Sequence, residues 1–132
     1  MSRITFKNLP DTSTPLNASN MNSIQNDLMR IKTFTIPKNN GTKAITFPDA
    51  KSIVLFSSKI NYGGTTECWI IGMYGAGGSS RTDVTKLSEG SSTRKITYTI
   101  SDRVITLTNP TDSQADCSLV VLVGNYDSIT VS

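Results

Sequence analysis

Apolar positions follow two different rhythms along this chain. Near the start, Met21, Ile24, Leu28 and Ile31 recur at spacings of three, four and three. That spacing predicts one narrow stripe on a helix of roughly 15 residues. Ahead of it, Pro15 biases Thr14 away from helical angles. Asn17 is placed to accept a free backbone N–H of the first turn, and Leu16 with Met21 fits a hydrophobic staple. A helix this short is marginal alone in water. The stripe therefore asks for a partner surface, and its a/d spacing points to further copies of the same helix.

From Thr33 onward the rhythm becomes alternation. Phe34 and Ile36 alternate with threonines, as do Ile45 and Phe47, and Ile96, Tyr98 and Ile100 alternate with Lys95, Thr97 and Thr99. Ile105 and Leu107 repeat the pattern. Between these runs lie turn signals: Asn39-Asn40-Gly41, Pro48-Asp49, Tyr62-Gly63-Gly64, Gly75-Ala76-Gly77-Gly78, Ser101-Asp102 and Asn109-Pro110-Thr111-Asp112. Short strands with polar turns about every ten residues predict a mainly β chain, an antiparallel sandwich or small barrel of jelly-roll type. Ser101-Asp102 between two alternating runs predicts a tight hairpin. The division expected is an arm and helix over 1–32 and a β-sandwich over 33–132.

Three runs break the alternation. Ile53 to Phe56, Trp69 to Ile71 and Leu119 to Val123 are apolar at consecutive positions, so their strands need cover on both faces. One face is the sandwich core. The other is expected to meet a neighbouring subunit, with a trimer about an axis as the preferred arrangement; the alternative is that the helix folds back over it within one chain.

The opening phrase also carries a resemblance. Phe6-Lys7-Asn8-Leu9-Pro10 followed by Thr14-Pro15-Leu16-Asn17-Ala18-Ser19-Asn20-Met21-Asn22 resembles the N-terminal segment of bacteriophage and prophage appendage proteins, tail-fibre and baseplate proteins mainly of Gram-positive phages. The resemblance implies a short strand and a helix that dock a fibre onto another virion protein or start a trimer. It covers about the first 30 residues and says nothing of the remaining hundred.

Composition narrows the picture further. The 132 residues suffice for one domain plus an arm. A net charge of +3 without any run of Lys or Arg gives no case for nucleic acid or an anionic membrane. No apolar stretch approaches a membrane span and no signal peptide is read at the start, so the chain is expected to be made in the cytoplasm; the appendage resemblance implies a virion as its location. Cys68 and Cys117 read as small buried thiols, with a cross-strand bridge as the alternative.

Candidate catalytic chemistry is thin. The chain has no histidine, which removes Ser-His and Cys-His pairs and the commonest metal ligand. Its glutamates are Glu67 and Glu89, and Asp11, Asp49, Asp83, Asp102, Asp112 and Asp127 mostly read as turn residues. A glycosidase needs two carboxyls across a cleft. The glycine segment from Gly75 lacks the Lys and Thr of a phosphate loop, and the acids from Asp112 to Asp116 fit no calcium loop. The expectation is no enzyme, no cofactor and no metal.

Binding remains. Sugar recognition needs an aromatic face and fixed polar groups. Tyr62, Tyr74 and Tyr126 stand at strand ends beside loops, with Asn61, Arg81, Asn125 and Asp127 near in sequence. The alternative is that each tyrosine merely closes the core at its rim. The reading is a short virion appendage, self-associated through Met21, Ile24, Leu28 and Ile31, fixed to another virion protein by its arm, and presenting a β domain to a host-surface saccharide. The alternatives are a structural head or tail fibre without a receptor, and a glycan-degrading enzyme.

Overall fold

The computed structural model describes residues 18–19, 21, 30–60, 66–74, 81–90 and 93–132. The chain divides into two compact units, Met1–Arg30 and Ile31–Ser132. In the first, Ala18, Ser19 and Met21 are helical and exposed. Ile24, Leu28 and the Asn17 cap lie outside the described residues.

The second unit is a two-layer antiparallel β-sandwich. Strands β1 (Ile31–Ile36), β8 (Ala115–Val123), β3 (Ser52–Ile60), β4 (Thr66–Tyr74) and β5 (Arg81–Ser88) form one sheet in the order β1-β8-β3-β4-β5. Strands β6 (Thr97–Ser101), β7 (Val104–Asn109), β2 (Gly41–Thr46) and β9 (Thr130–Val131) form the other in the order β6-β7-β2-β9. The chain changes sheet between β1 and β2, β2 and β3, β5 and β6, β7 and β8, and β8 and β9, while β3, β4 and β5 run as a meander.

Alternation decides which side chains enter the core. Val54, Phe56 and Ile60 of β3, Trp69, Ile71 and Met73 of β4, and Leu119 and Val121 of β8 point inward and are fully buried or nearly so. They meet Ile45, Ile105 and Leu107 of the opposite sheet, joined by Phe47, Ile96 and Ile129 from the connections. An aromatic line crosses this core: Phe34 to Phe56 at 6.3 Å, Phe56 to Trp69 at 4.9 Å, and Trp69 to Tyr98 at 5.4 Å between ring centroids. Spacings of this order suit offset and edge-to-face contacts. Trp69 is thus a core residue.

Turn chemistry fits local sequence. Asn39 and Asn40 both have positive φ (60° and 66°), and the Gly41 N–H donates to the Lys38 carbonyl. Two successive left-handed residues closed by such a bond make a type I′ turn, which asparagine tolerates. Asp102 (φ 52°) leads the β6–β7 hairpin predicted at Ser101-Asp102.

Several expectations need correction. Ile31 is not on a helical stripe: it opens β1 opposite Val120, with its side chain 56% exposed. The β-branched residues Ile31, Thr33, Thr35 and Ile36 favour extended backbone, and pairing with β8 supplies the hydrogen bonds. Asp83 is not in a turn but faces outward from β5, a strand the alternation did not reveal. Cys68 and Cys117 are free thiols as expected, but only Cys117 is buried. Cys68 pairs with Ser57 and Cys117 with Ser58, neighbouring β3 residues that face opposite sides, so the two cysteines lie on opposite faces of the sheet.

Candidate functional site

The outward face of the five-stranded sheet is graded from apolar to polar along the strands. One cross-strand row reads Ile31, Val120, Leu55, Ile70, Thr85. Leu122 and Ile53 extend the apolar half, and Leu122 is 50% exposed. The next row reads Thr33, Ser118, Ser57, Cys68, and the one beyond it Thr35, Asp116, Lys59, Thr66.

The hydroxyl and charged rows frame a shallow open groove of about 650 Å³, lined by Thr33, Thr35, Ser57, Lys59, Thr66, Asp116 and Ser118 among others. Ser57 and Ser118 have short side chains, so the two central strands lie low there. Adjacent strands are about 4.8 Å apart, so the groove runs roughly 14 Å across β1, β8, β3 and β4. Ser57 Oγ and Ser118 Oγ are hydrogen-bonded to each other at 2.5 Å. Two hydroxyls together carry two donors and four lone pairs. Their mutual bond uses one of each, leaving one donor and three acceptor positions for other partners. Lys59 stands opposite Asp116 in register, and Asp116 Oδ1 also accepts from Gln114 Nε2 at 3.3 Å. Donors, acceptors and both charges therefore lie within one strip of rigid sheet.

The tyrosine sites predicted from sequence separate. Tyr62 lies outside the described residues. Tyr74 and Arg81 are brought together as a register pair at the far end of β4 and β5. Tyr74 is 63% exposed, and Arg81 Nε bonds Asp83 Oδ1 at 3.0 Å in an exposed ion pair. Such a pair contributes little to stability. Asn125 caps a short 3-10 turn, Tyr126–Ser128, its side chain accepting from the Asp127 N–H at 3.0 Å. Tyr126 donates its hydroxyl to the Ile31 carbonyl at 3.4 Å, and Lys32 Nζ stands 3.8 Å from its ring centroid. These contacts put Tyr126 beside β1, about three strand spacings from Tyr74 on β4. Tyr126 closes the sandwich rim; the two groups do not make one pocket.

Sequence reading missed a charged cluster at the β5–β6 edge. Lys86 Nζ bonds Glu89 Oε1 at 2.8 Å and stands 4.8 Å from the Trp69 ring centroid and 5.6 Å from that of Tyr98. Lys95 approaches Glu89 at 3.5 Å. The hydrogen bond and charge of Lys86, aided by Lys95, hold the Glu89 carboxyl below the usual range. Glu67 belongs to the same electrostatic group, and burial pushes its carboxyl up despite a hydrogen bond from the Ile96 N–H and the nearby Lys86 charge. The signal available in sequence was the inward parity of Glu67 and Lys86 on their strands. It could be used only once β5 was recognised as a strand.

No protein-family model and no curated sequence matches this chain. In fold it is similar to the crystal structure of tailspike protein gp49 from Acinetobacter baumannii bacteriophage Fri1, a capsular polysaccharide depolymerase, with a TM-score of 0.55 at 10% identity. The superposition covers 77% of this chain and 18% of that one, so this chain spans under a fifth of the tailspike's length. The tailspike protein of Acinetobacter phage vB_ApiP_P1 aligns over 100% of this chain and 26% of its own at 9% identity, with a TM-score of 0.42 that is too low to establish a shared fold. The first likeness corrects the expectation that this chain is not an enzyme. That exclusion rested on missing histidine and unpaired acids, yet a chain containing this fold is a depolymerase. The sandwich also gathers Glu67 and Glu89 around one lysine, a grouping the sequence had not shown.

Proposed function

We propose that this chain is a module of a phage tail appendage whose β-sandwich holds a host-surface saccharide in the groove between β1, β8, β3 and β4. The observation that carries the reading is the hydroxyl row Thr33–Ser118–Ser57, with its bonded serine pair and the adjacent Lys59 and Asp116. Sugar hydroxyls are donors and acceptors at once, and a strip of fixed hydroxyls answers both roles with little reorganisation. The fold likeness to a phage tailspike and the appendage-like opening phrase support the same reading independently. In it, the arm engages another virion protein, and several copies associate so that weak sites add through effective concentration.

The test uses the tagged full-length chain with capsular and cell-wall polysaccharides and with a strain panel spanning Acinetobacter and Gram-positive cells. Selective labelling is expected. Replacing Ser57 and Ser118 together by Ala is expected to weaken binding about tenfold, from two hydrogen bonds each contributing about 0.5–1.5 kcal/mol. Unchanged binding in that variant would move the site elsewhere. Polymer that shortens on incubation assigns catalysis to this module, whereas bound and intact polymer assigns recognition.

A second reading is favoured by the apolar row Ile31–Val120–Leu55–Ile70. It is a structural appendage in which the outward face is spent on assembly. A chain that associates but labels no cell and binds no polysaccharide supports it.

A further inference from the structure

Among the described strands, β1 and β5 are the edges of one sheet and β6 and β9 the edges of the other. A strand edge is a row of unpaired N–H and C=O groups, which proteins blunt with charge, bulges or short length. Three of these edges are blunted. β9 is two residues long. β5 carries Arg81, Asp83 and Lys86, and its pairing with β4 is irregular between Cys68 and Trp69. On β1 the Tyr126 hydroxyl takes the Ile31 carbonyl, and Lys32 lies over the same ring.

β6 has none of these devices. Its sequence, Thr97-Tyr98-Thr99-Ile100-Ser101, holds no charge, proline or glycine, and it pairs with β7 without a register shift. Every residue in it is exposed. Tyr98 and Ile100 stand opposite the buried Leu107 and Ile105, so they face the core side, yet they remain 36% and 41% exposed. Asp102 and Arg103 alone join β6 to β7, so Ser101 and Val104 are the hydrogen-bonded pair that closes the hairpin. Such pairs alternate along an antiparallel ladder. Ser101, Thr99 and Thr97 therefore bond to β7, while Tyr98 and Ile100 turn their N–H and C=O groups outward. Among the described residues neither meets a further backbone partner.

We propose that β6 is an association edge, at which a second copy of this chain pairs antiparallel through the same strand and joins the two four-stranded sheets into one. A strand fits because the unmet groups are an alternating row of backbone donors and acceptors. The partner's own β6 fits because one register uses all of them. With the two Thr99 residues opposite each other, Tyr98 of each copy faces Ile100 of the other in a hydrogen-bonded pair. A shift by one pair in either direction loses this match. It calls on the Ile96 N–H, already given to Glu67 Oε1 at 2.7 Å, or on the Asp102 carbonyl, which accepts the Thr82 hydroxyl at 3.0 Å. Side chains agree with the register: Tyr98 against Ile100 is an aromatic–β-branched pair, and the Thr99 hydroxyls meet on the other face. Lys95 and Arg103 fall opposite each other, but each has its own acid, Glu89 at 3.5 Å and Asp102 at 3.7 Å. The saccharide groove lies on the other sheet, so this pairing stands apart from it.

A strand of this length falls short of the roughly 800 Å² per partner of a standard interface. The contact is therefore weak, and the test traps it covalently. In a non-hydrogen-bonded antiparallel pair the Cα atoms are about 4.5 Å apart, within the span of a disulfide. The two Thr99 positions form such a pair, whereas the two Thr97 positions lie about 13 Å apart along the strands. The full chain carrying Cys68→Ser, with Cys117 buried, receives either Thr99→Cys or, as control, Thr97→Cys. Mild oxidation is expected to give the covalent dimer at least tenfold faster at 99 than at 97. Adding Ile100→Pro should suppress it, because the lost N–H faces the edge and the β7 ladder keeps its bonds. Where the proline variant does not fold, Ile100→Lys decides by placing a charge on the edge. Equal rates at 97 and 99, no dimer at 99, or a dimer that the Ile100 variants leave unchanged overturns the proposal. Slow hydrogen exchange at the Tyr98 and Ile100 amides without a covalent dimer overturns it as well, and assigns the edge to a different strand.

Discussion

Among single residues, Asn109 ties more of the fold together than its polarity predicts. It is fully buried. Its Nδ2 donates to the carbonyls of Ile36 (3.3 Å) and Ser113 (2.8 Å), and its Oδ1 accepts from the Thr111 N–H (3.1 Å) and the Thr111 hydroxyl (2.8 Å). One side chain thereby holds the end of β1 and the β7–β8 connection, where the sequence shows only a turn signal at Asn109-Pro110. Asn109→Ala is expected to cost about 2–4 kcal/mol, because each buried partner left unpaired carries a desolvation penalty. Asn109→Asp should cost nearly as much, since a carboxylate cannot donate to the two carbonyls. Urea unfolding of both variants checks this; a loss under about 1 kcal/mol would mean that the partners find water instead. At this scale the sequence shows which residues suit turns. It does not show which of them are enclosed.

Elements divide into those that sequence rhythm reveals and those that it hides. β1, β2, β3, β4, β6, β7 and β8 are legible because apolar residues alternate or run together within them. β5 is hidden. Val84 and Leu87 stand three apart, and Lys86 takes an inward position because the aromatic rings of Trp69 and Tyr98 accept its ammonium. A lysine spent this way breaks the pattern on which strand recognition depends. The doubly apolar strands were legible too, and their outward residues Leu55, Ile70 and Val120 fall into one row with Ile31. An apolar strip of this kind on a sheet face is a natural contact for another copy. Leu55→Lys with Ile70→Lys is therefore expected to lower the assembled mass in light scattering while leaving the circular dichroism spectrum unchanged. The same mass in wild type and variant would remove this face from the assembly.

At the scale of the whole molecule, the core of the described residues falls within the second unit. The buried apolar residues described run from Ile36 to Ile129, all within Ile31–Ser132. A chain starting at Arg30 is expected to unfold cooperatively, with a melting temperature within about 5 °C of the full chain, a shift equivalent to roughly 1 kcal/mol for a domain of this size. A melt that is broad or lower by 15 °C would show that the first unit contributes to the fold's stability. The groove belongs to this scale as well. Thr33, Ser57 and Ser118 are distant in sequence and become one row only because β8 lies between β1 and β3.

By itself the sequence determined the β class, most strand positions, the Ser101-Asp102 hairpin and the presence of apolar residues on both faces of three strands. It could do so because these follow from side-chain alternation and turn chemistry, which are local. Tertiary structure alone decided the strand order, and with it the hydroxyl groove, the separation of Tyr74 from Tyr126, and the burial of Glu67 where it accepts the Ile96 N–H. Those depend on which distant strands become neighbours, a choice set by packing the whole core at once and carried by no single segment of the chain.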